Sequence, residues 1–263
     1  MEQRIDKIIQ GDCLEVMKWI PDHSIDMILC DLPYGTTACS WDTIIPFEPL
    51  WEQYKRIIKD KGAIVLTASQ PFTSLLITSN LKMFKYCWVW NKELPGNVLL
   101  AKIQPMKIHE DIPVFSLGSH NYYPLKTKAL KKNIRPNPKR ENQSKCFNAT
   151  MKADKVDPFS RFPRSILNFN NRKGENNHLN LQHPTQKPVP LFEYLIQTYT
   201  QPGEIVLDNC IGSGTTAVAA KKTDRHFIGI ELDPKYCEIA RNRIGQTDFN
   251  ELDKNPNKKG LLF

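Results

Sequence analysis

Short apolar runs that stop at turn residues, alternating with stretches of helical spacing, constrain this chain more than any other feature. Ile25-Asp26-Met27-Ile28-Leu29-Cys30 is mostly apolar and ends in a Pro/Gly turn, the pattern of a buried strand. Phe47, Leu50, Trp51, Tyr54, Ile57 and Ile58 then recur at helical intervals, and Gly62 opens a second strand, Ala63-Ile64-Val65-Leu66-Thr67. A helix from Phe72 to Leu81 and a strand around Tyr86-Cys87-Trp88-Val89-Trp90 follow. Ile112-Pro113-Val114-Phe115 reads as another strand, and its proline predicts an edge position, because proline donates nothing to a ladder. Regular structure resumes at Pro188, a favourable first helical residue, with Leu191, Tyr194, Leu195, Thr198 and Tyr199 on one face. A strand at Glu204–Asp208, a helix from Gly214 to Lys221 and a strand at Phe227–Glu231 come next. A last helix is marked by Tyr236, Ile239, Ala240, Arg243 and Ile244. The alternation predicts an α/β fold with a parallel-rich sheet and helices on both faces, whose ligands collect at the carboxyl ends of the strands.

The pattern breaks between Ser119 and Gln182, where Asn, Pro, Lys and Arg dominate. That stretch is too long for an ordinary loop and reads as a functional insertion. Expected boundaries are therefore 1–118, an irregular insertion at 119–182, a returning half at 183–246 and a polar tail at 247–263. Charge follows the same division. Ser119 to Lys173 holds 14 Lys and Arg against Glu141, Asp154 and Asp157, a balance of +11, whereas the rest carries 22 basic and 25 acidic residues. A basic patch on a near-neutral body suggests a polyanion, with DNA or RNA first. Arg135, Lys139, Arg140, Arg161, Arg164 and Arg172 are interleaved with Tyr122, Tyr123, Phe147, Phe159 and Phe162 and are the expected phosphate contacts.

The seven cysteines are scattered without a C-x-x-C pair, so neither a disulfide framework nor a metal site is expected. No apolar run is long enough to span a membrane, and Met1-Glu2-Gln3-Arg4-Ile5-Asp6 lacks a signal-peptide core, which predicts a cytoplasmic protein.

Two motifs lie just beyond strand ends. Gly212-x-Gly214-x-x-Ala217 follows a strand and opens a helix, and Glu231 ends the next strand, as in a dinucleotide fingerprint. Asp208, four residues before Gly212, argues against a diphosphate and suits a cationic ligand such as the ammonium of S-adenosylmethionine, with Glu231 accepting from the ribose diol. Asp31-Leu32-Pro33-Tyr34 offers a carboxylate, a carbonyl made rigid by the next proline, and an aromatic ring. The two acceptors would draw on the N–H bonds of a base amino group and free its lone pair, stabilising charge that develops in the transition state. Stacking of an extruded base on Tyr34, worth roughly 1–3 kcal/mol, would offset part of the unstacking cost.

Asp31-Leu32-Pro33-Tyr34-Gly35 resembles the D-P-P-Y motif of amino-methyltransferases acting on DNA, with Leu32 where proline is usual. Asp208-x-x-x-Gly212-Ser213-Gly214-Thr215-Thr216 resembles their donor-binding motif, and His183-Pro184-Thr185-Gln186-Lys187-Pro188 the segment before it in the permuted β class. The resemblance implies a Rossmann-like seven-stranded mixed sheet with a reversed edge hairpin, a target-recognition insertion, base flipping and direct methyl transfer. It implies that Lys187 meets the donor carboxylate, Gly212 and Gly214 its amino-acid part, Glu231 its ribose and Asp12 its adenine, with Cys13, Asp31, Asp208, Thr215 and Thr216 also among the donor-binding residues. Double-stranded DNA is the implied partner; a cognate restriction endonuclease and a homodimer stay open.

Adenine N6 is the expected target, because relatives with serine at the position of Asp31 more often take cytosine N4. A nicotinamide-dependent dehydrogenase would use the glycine turn alone, and a DNA-binding module would use the insertion alone. His109-Glu110-Asp111 offers residues for metal or acid/base chemistry, but the resemblance implies a structural strand entry there; His183 offers a base, and is expected instead to shape the donor pocket. Trp41, Phe72, Trp88, Trp90 and Asn91 are placed either in the core or at the rim of a target pocket.

Overall fold

The computed structural model describes residues 4–37, 42–128, 159–171 and 186–245. Arg135, Lys139, Arg140, Arg172, His183 and Trp41 lie outside them. The chain divides into two compact units, Met1–Tyr123 with Ser165–Phe263, and Pro124–Arg164.

The first unit is built on an eight-stranded sheet. Its strands are β1 (Lys7–Gln10), β2 (Ile25–Asp31), β3 (Ile58–Thr67), β4 (Phe84–Gly96), β5 (Lys107–Phe115), β8 (Ile166–Asn168), β9 (Ile205–Asp208) and β10 (His226–Glu231). They are ordered β1-β10-β9-β2-β3-β5-β4-β8. Pairing is parallel from β1 to β3, antiparallel between β3 and β5 and between β5 and β4, and parallel again between β4 and β8. The mixed, mostly parallel sheet is as expected, with one strand more than seven. That strand, β8, comes from the stretch read as irregular and lies at the edge: three residues are too few to show a period of two.

Both faces are covered. Along β2, Met27 and Leu29 point to one core, and Ile28 and Cys30 to the other. The first core takes side chains from α4 (Val189–Tyr199), α5 (Thr215–Lys222) and α6 (Pro234–Arg243). The second takes them from α1 (Cys13–Met17), α2 (Phe47–Ile57) and α3 (Phe72–Ser79). Burial on two faces explains why β2 reads as an apolar run without alternation.

The edge position expected for the Pro113 strand is not observed, since β5 lies between β3 and β4. The β3–β5 pairing runs through Ala68–Asp111 and resumes at Val65–Val114, and its register puts Pro113 opposite Leu66 in the gap. The missing N–H costs one rung and leaves the strand internal. Helix α2 also stops at Ile57, and β3 starts at Ile58 rather than at Gly62, with a register shift where β2 passes from Ile25 to Met27.

In the second unit, β6 (Thr127–Lys128) pairs antiparallel with β7 (Ser160–Arg161). Lys126 Nζ stands 4.4 Å from the centre of the Phe162 ring, and Phe159, Phe162 and Arg164 are exposed. Among the described residues no helix is long and apolar enough to cross a membrane.

Candidate active site

Asp31 closes β2 and Asp208 closes β9, and these strands are neighbours, with Met27 beside Val206 and Ile28 beside Leu207. From this pair the chain runs outward to β3 on one side and to β10 on the other. Reversal of strand order opens a crevice at the carboxyl ends. A cavity of about 650 Å3 lies there, within the size range of nucleoside-type sites. Asp31, Leu32, Pro33 and Tyr34 line it from one side, and Asp208, Gly212, Thr215, Thr216 and Glu231 from the other. Asp12, Cys13 and Lys187 complete the expected set. Gly214 is not on the wall. Its φ of +86° starts α5, and a Cβ there would meet Ala240 at 3.1 Å.

The Asp31 carboxylate is held on both oxygens. Its Oδ1 accepts the Tyr34 hydroxyl at 2.9 Å and the Thr67 hydroxyl, and its Oδ2 accepts Lys187 Nζ at 2.7 Å. Tyr34 stacks on Phe72 with ring centres 5.2 Å apart, so one of its faces is already used. Lys187 is itself buried, with 8% of its side chain exposed, and stands 3.5 Å from Glu110. Burial works against the lysine charge, but Asp31 and Glu110 more than offset it and hold its pKa above the ordinary lysine value. Glu110 bonds Lys92 at 3.0 Å on its other oxygen. Burial disfavours the Glu110 charge too, and Lys187 and Lys92 overcome this and hold its carboxyl below the usual range.

The loop after Tyr34 is fastened by Asp42, whose carboxylate accepts the backbone N–H groups of Gly35, Thr36 and Thr37 at 2.7–2.9 Å. These bonds, with the Thr37 side chain, outweigh burial and hold the Asp42 carboxyl below its ordinary value.

On the opposite wall Asp208 is buried, accepting the Thr216 hydroxyl on Oδ2 and the Cys210 N–H on Oδ1 at 3.0 Å. Burial pushes its carboxyl up to about 7, although the bonds from Thr216, Cys210 and Cys30 favour its charge. Gly212, at φ +52°, has nothing closer than 4.0 Å where a Cβ would stand, so the chain can approach a ligand there. Glu231 accepts the N–H of Gly212 at 2.8 Å on Oε2 and that of Asp233 at 3.0 Å on Oε1, and the Leu232 N–H also favours its charge. Burial raises its pKa. Asp12 caps α1 by accepting the Leu14 N–H at 2.8 Å.

Asp42, Thr67, Lys92 and Glu110 were not expected here. In the sequence Thr67 is marked only as a strand residue, Glu110 only as part of the His109-Glu110-Asp111 stretch, and Asp42 follows a stretch with no periodicity. Trp88 and Trp90 belong to the core, bonding the Tyr199 hydroxyl at 2.6 Å and the Phe169 carbonyl at 2.8 Å. Phe72 is 1% exposed, beneath Tyr34.

Fold and site together define a Rossmann-like methyltransferase core. The chain belongs to the DNA methylase family, which matches residues 25–242. It is 28% identical to the type II methyltransferase M.BglII of Bacillus subtilis over 99% of this chain and 74% of that protein. Among solved structures it resembles the M1.HpyAVI–SAM complex, with a TM-score of 0.61 and 23% identity over 90% of this chain and 98% of that one. It also resembles the cytosine-N4-specific PvuII DNA methyltransferase, with a TM-score of 0.63 and 17% identity over 90% of this chain and 85% of that one. Family membership removes both the dehydrogenase and the non-enzymatic DNA-binding readings.

Proposed function

We propose that the chain transfers a methyl group from S-adenosylmethionine to the N6 amino group of a flipped adenine in double-stranded DNA. The observation that carries this reading is one cavity walled by Asp31-Leu32-Pro33-Tyr34 and by the Asp208–Gly212 turn with Glu231. The residues fit such a donor. Glu231 presents a carboxylate to the cavity for ribose hydroxyls, the Gly212 backbone is unobstructed, and Lys187 offers a cation to a carboxylate. Asp12, Cys13, Thr215 and Thr216 line the same cavity, which supports their role as donor-binding residues, with Asp12 toward the donor's adenine. When bound, the donor supplies an electrophilic methyl group on a sulfonium centre.

The chain's own contribution is to orient the amine. Asp31 and the Leu32 carbonyl accept its two N–H bonds, which turns the nitrogen lone pair away from the ring system and toward the methyl group. Tyr34 and Thr67 hold the Asp31 carboxylate in one rotamer, so its geometry exists before the base arrives. Some of Arg135, Lys139, Arg140, Arg161, Arg164 and Arg172 contact DNA phosphates, a role supported by the basic excess of their segment. The type II name of the Bacillus relative supports a paired restriction endonuclease.

Adenine is favoured over cytosine by the carboxylate at position 31, where serine goes with N4 chemistry. The test is digestion of DNA methylated by the pure protein to nucleosides, followed by mass spectrometry. N6-methyladenine is expected; N4-methylcytosine without it would reassign the target.

A further inference from the structure

Strand β5 is internal despite its proline, and this placement carries Glu110 beneath the Asp31 loop. Glu110 is only 14% exposed, as is its partner Lys92. With Lys187 and Asp31 they form a row of alternating charge: Lys92 and Glu110 at 3.0 Å, Glu110 and Lys187 at 3.5 Å, Lys187 and Asp31 at 2.7 Å. The row is asymmetric at one point. Among the described residues, Glu110 Oε2 is buried without accepting any hydrogen bond, although the Lys187 ammonium stands 3.5 Å from it.

Asp31 has three donors on it already, from Tyr34, Thr67 and Lys187. A carboxylate offers about four lone-pair sites, so Oδ1 is filled and an amino group arriving in the cavity shares Oδ2 with Lys187, whose ammonium is repelled by the positive charge that develops on the amine during transfer. A buried ammonium that simply lost its carboxylate would meet a large desolvation penalty. Glu110 Oε2 removes that penalty, because a shift of a few tenths of an ångström brings Lys187 from ion-pair distance to hydrogen-bond distance.

Building on the methyltransferase reading, we propose that Glu110 is a positioning residue for transfer: it takes over Lys187 when Asp31 gives its Oδ2 to the target amine. In the resting protein Lys187 occupies Asp31 and keeps the acceptor neutralised. With donor and base in place, Lys187 keeps its contact with the donor carboxylate and rests on Glu110, which Lys92 holds still from the other side. Glu110 touches neither base nor donor and acts through Lys187 alone.

The test compares Glu110→Gln in two backgrounds, wild type and Lys187→Met, by single-turnover transfer at saturating donor and DNA. In the wild-type background Glu110→Gln lowers the transfer rate by about tenfold or more, with donor Kd and KM for DNA changed less than about threefold. In the Lys187→Met background the same substitution adds nothing to the loss. Glu110→Asp keeps the charge and recovers part of the rate; it also serves as the test variant if Glu110→Gln does not fold. A full wild-type rate in a folded Glu110 variant, equal losses in both backgrounds, or a loss that tracks donor affinity would overturn the proposal. Failure of the wild-type protein to methylate any DNA would instead overturn the functional reading beneath it.

Discussion

Two carboxylates end adjacent strands in the same cavity, yet their surroundings differ in kind. Asp31 faces an ammonium, with two hydroxyls completing its shell. Among the described residues Asp208 has as hydrogen-bond partners no cation but the Thr216 hydroxyl, the Cys210 N–H and the Cys30 thiol, and burial raises its carboxyl to about 7. Position at a strand end therefore does not decide what an acid can do; its partners do. Asp31 is arranged to accept hydrogen bonds, and Asp208 to hold a turn while gaining or losing a proton near neutrality.

Removing Asp31 makes the largest difference between the two walls. Asp31→Ala is expected to lower single-turnover transfer by about 10²–10³-fold, the usual loss of a preorganised transition-state contact, with donor affinity measured by calorimetry nearly unchanged. Comparable loss of donor binding would erase the division of labour between the walls. On the donor side, Glu231→Ala is expected to weaken donor binding by about tenfold to a hundredfold, the cost of hydrogen bonds to a charged group. Transfer at saturating donor should stay within a few-fold of wild type; a pure rate defect would place Glu231 with Asp31.

The smallest effect concerns Asp208 and pH. Its carboxyl is raised from 3.8 to about 7, so between those values the folded protein keeps a proton that the unfolded chain releases. Its contribution is therefore most favourable below about 4 and is lost as pH rises through about 7. Binding of a cationic donor needs the ionised form and should strengthen over the same upper limb, by about tenfold from one unit below that pKa to well above it. Asp208→Asn should flatten both profiles, read by thermal melts and by donor titration at pH about 6 and about 8. An unchanged binding profile in the variant would assign the titration to another group.

Residues 25–31 and 205–208 were legible because a strand buried on both faces leaves an uninterrupted apolar run, and the turns beyond them carry residues with few structural alternatives. The glycine pair was legible for the same local reason, though only Gly212 reaches the cavity wall. Glu110 was not. It looks like any polar residue on a strand, and its partners Lys187 and Lys92 lie 77 and 18 positions away in the chain. Pro113 misled for a related reason: the rule against proline in inner strands concerns one rung, and the β3–β5 ladder closes on either side of it.

The sequence by itself determined the alternating elements, the two strand-end motifs and the site residues they contain, because periodicity and turn chemistry act over a few residues. Only the tertiary structure decided that β8 returns to the sheet edge, that Trp88 and Trp90 serve the core, and that Asp31 shares its lysine with Glu110. Those outcomes depend on strand order and on the sharing of buried charge between distant residues. Such energies do not exist until the sheet is assembled and water is excluded.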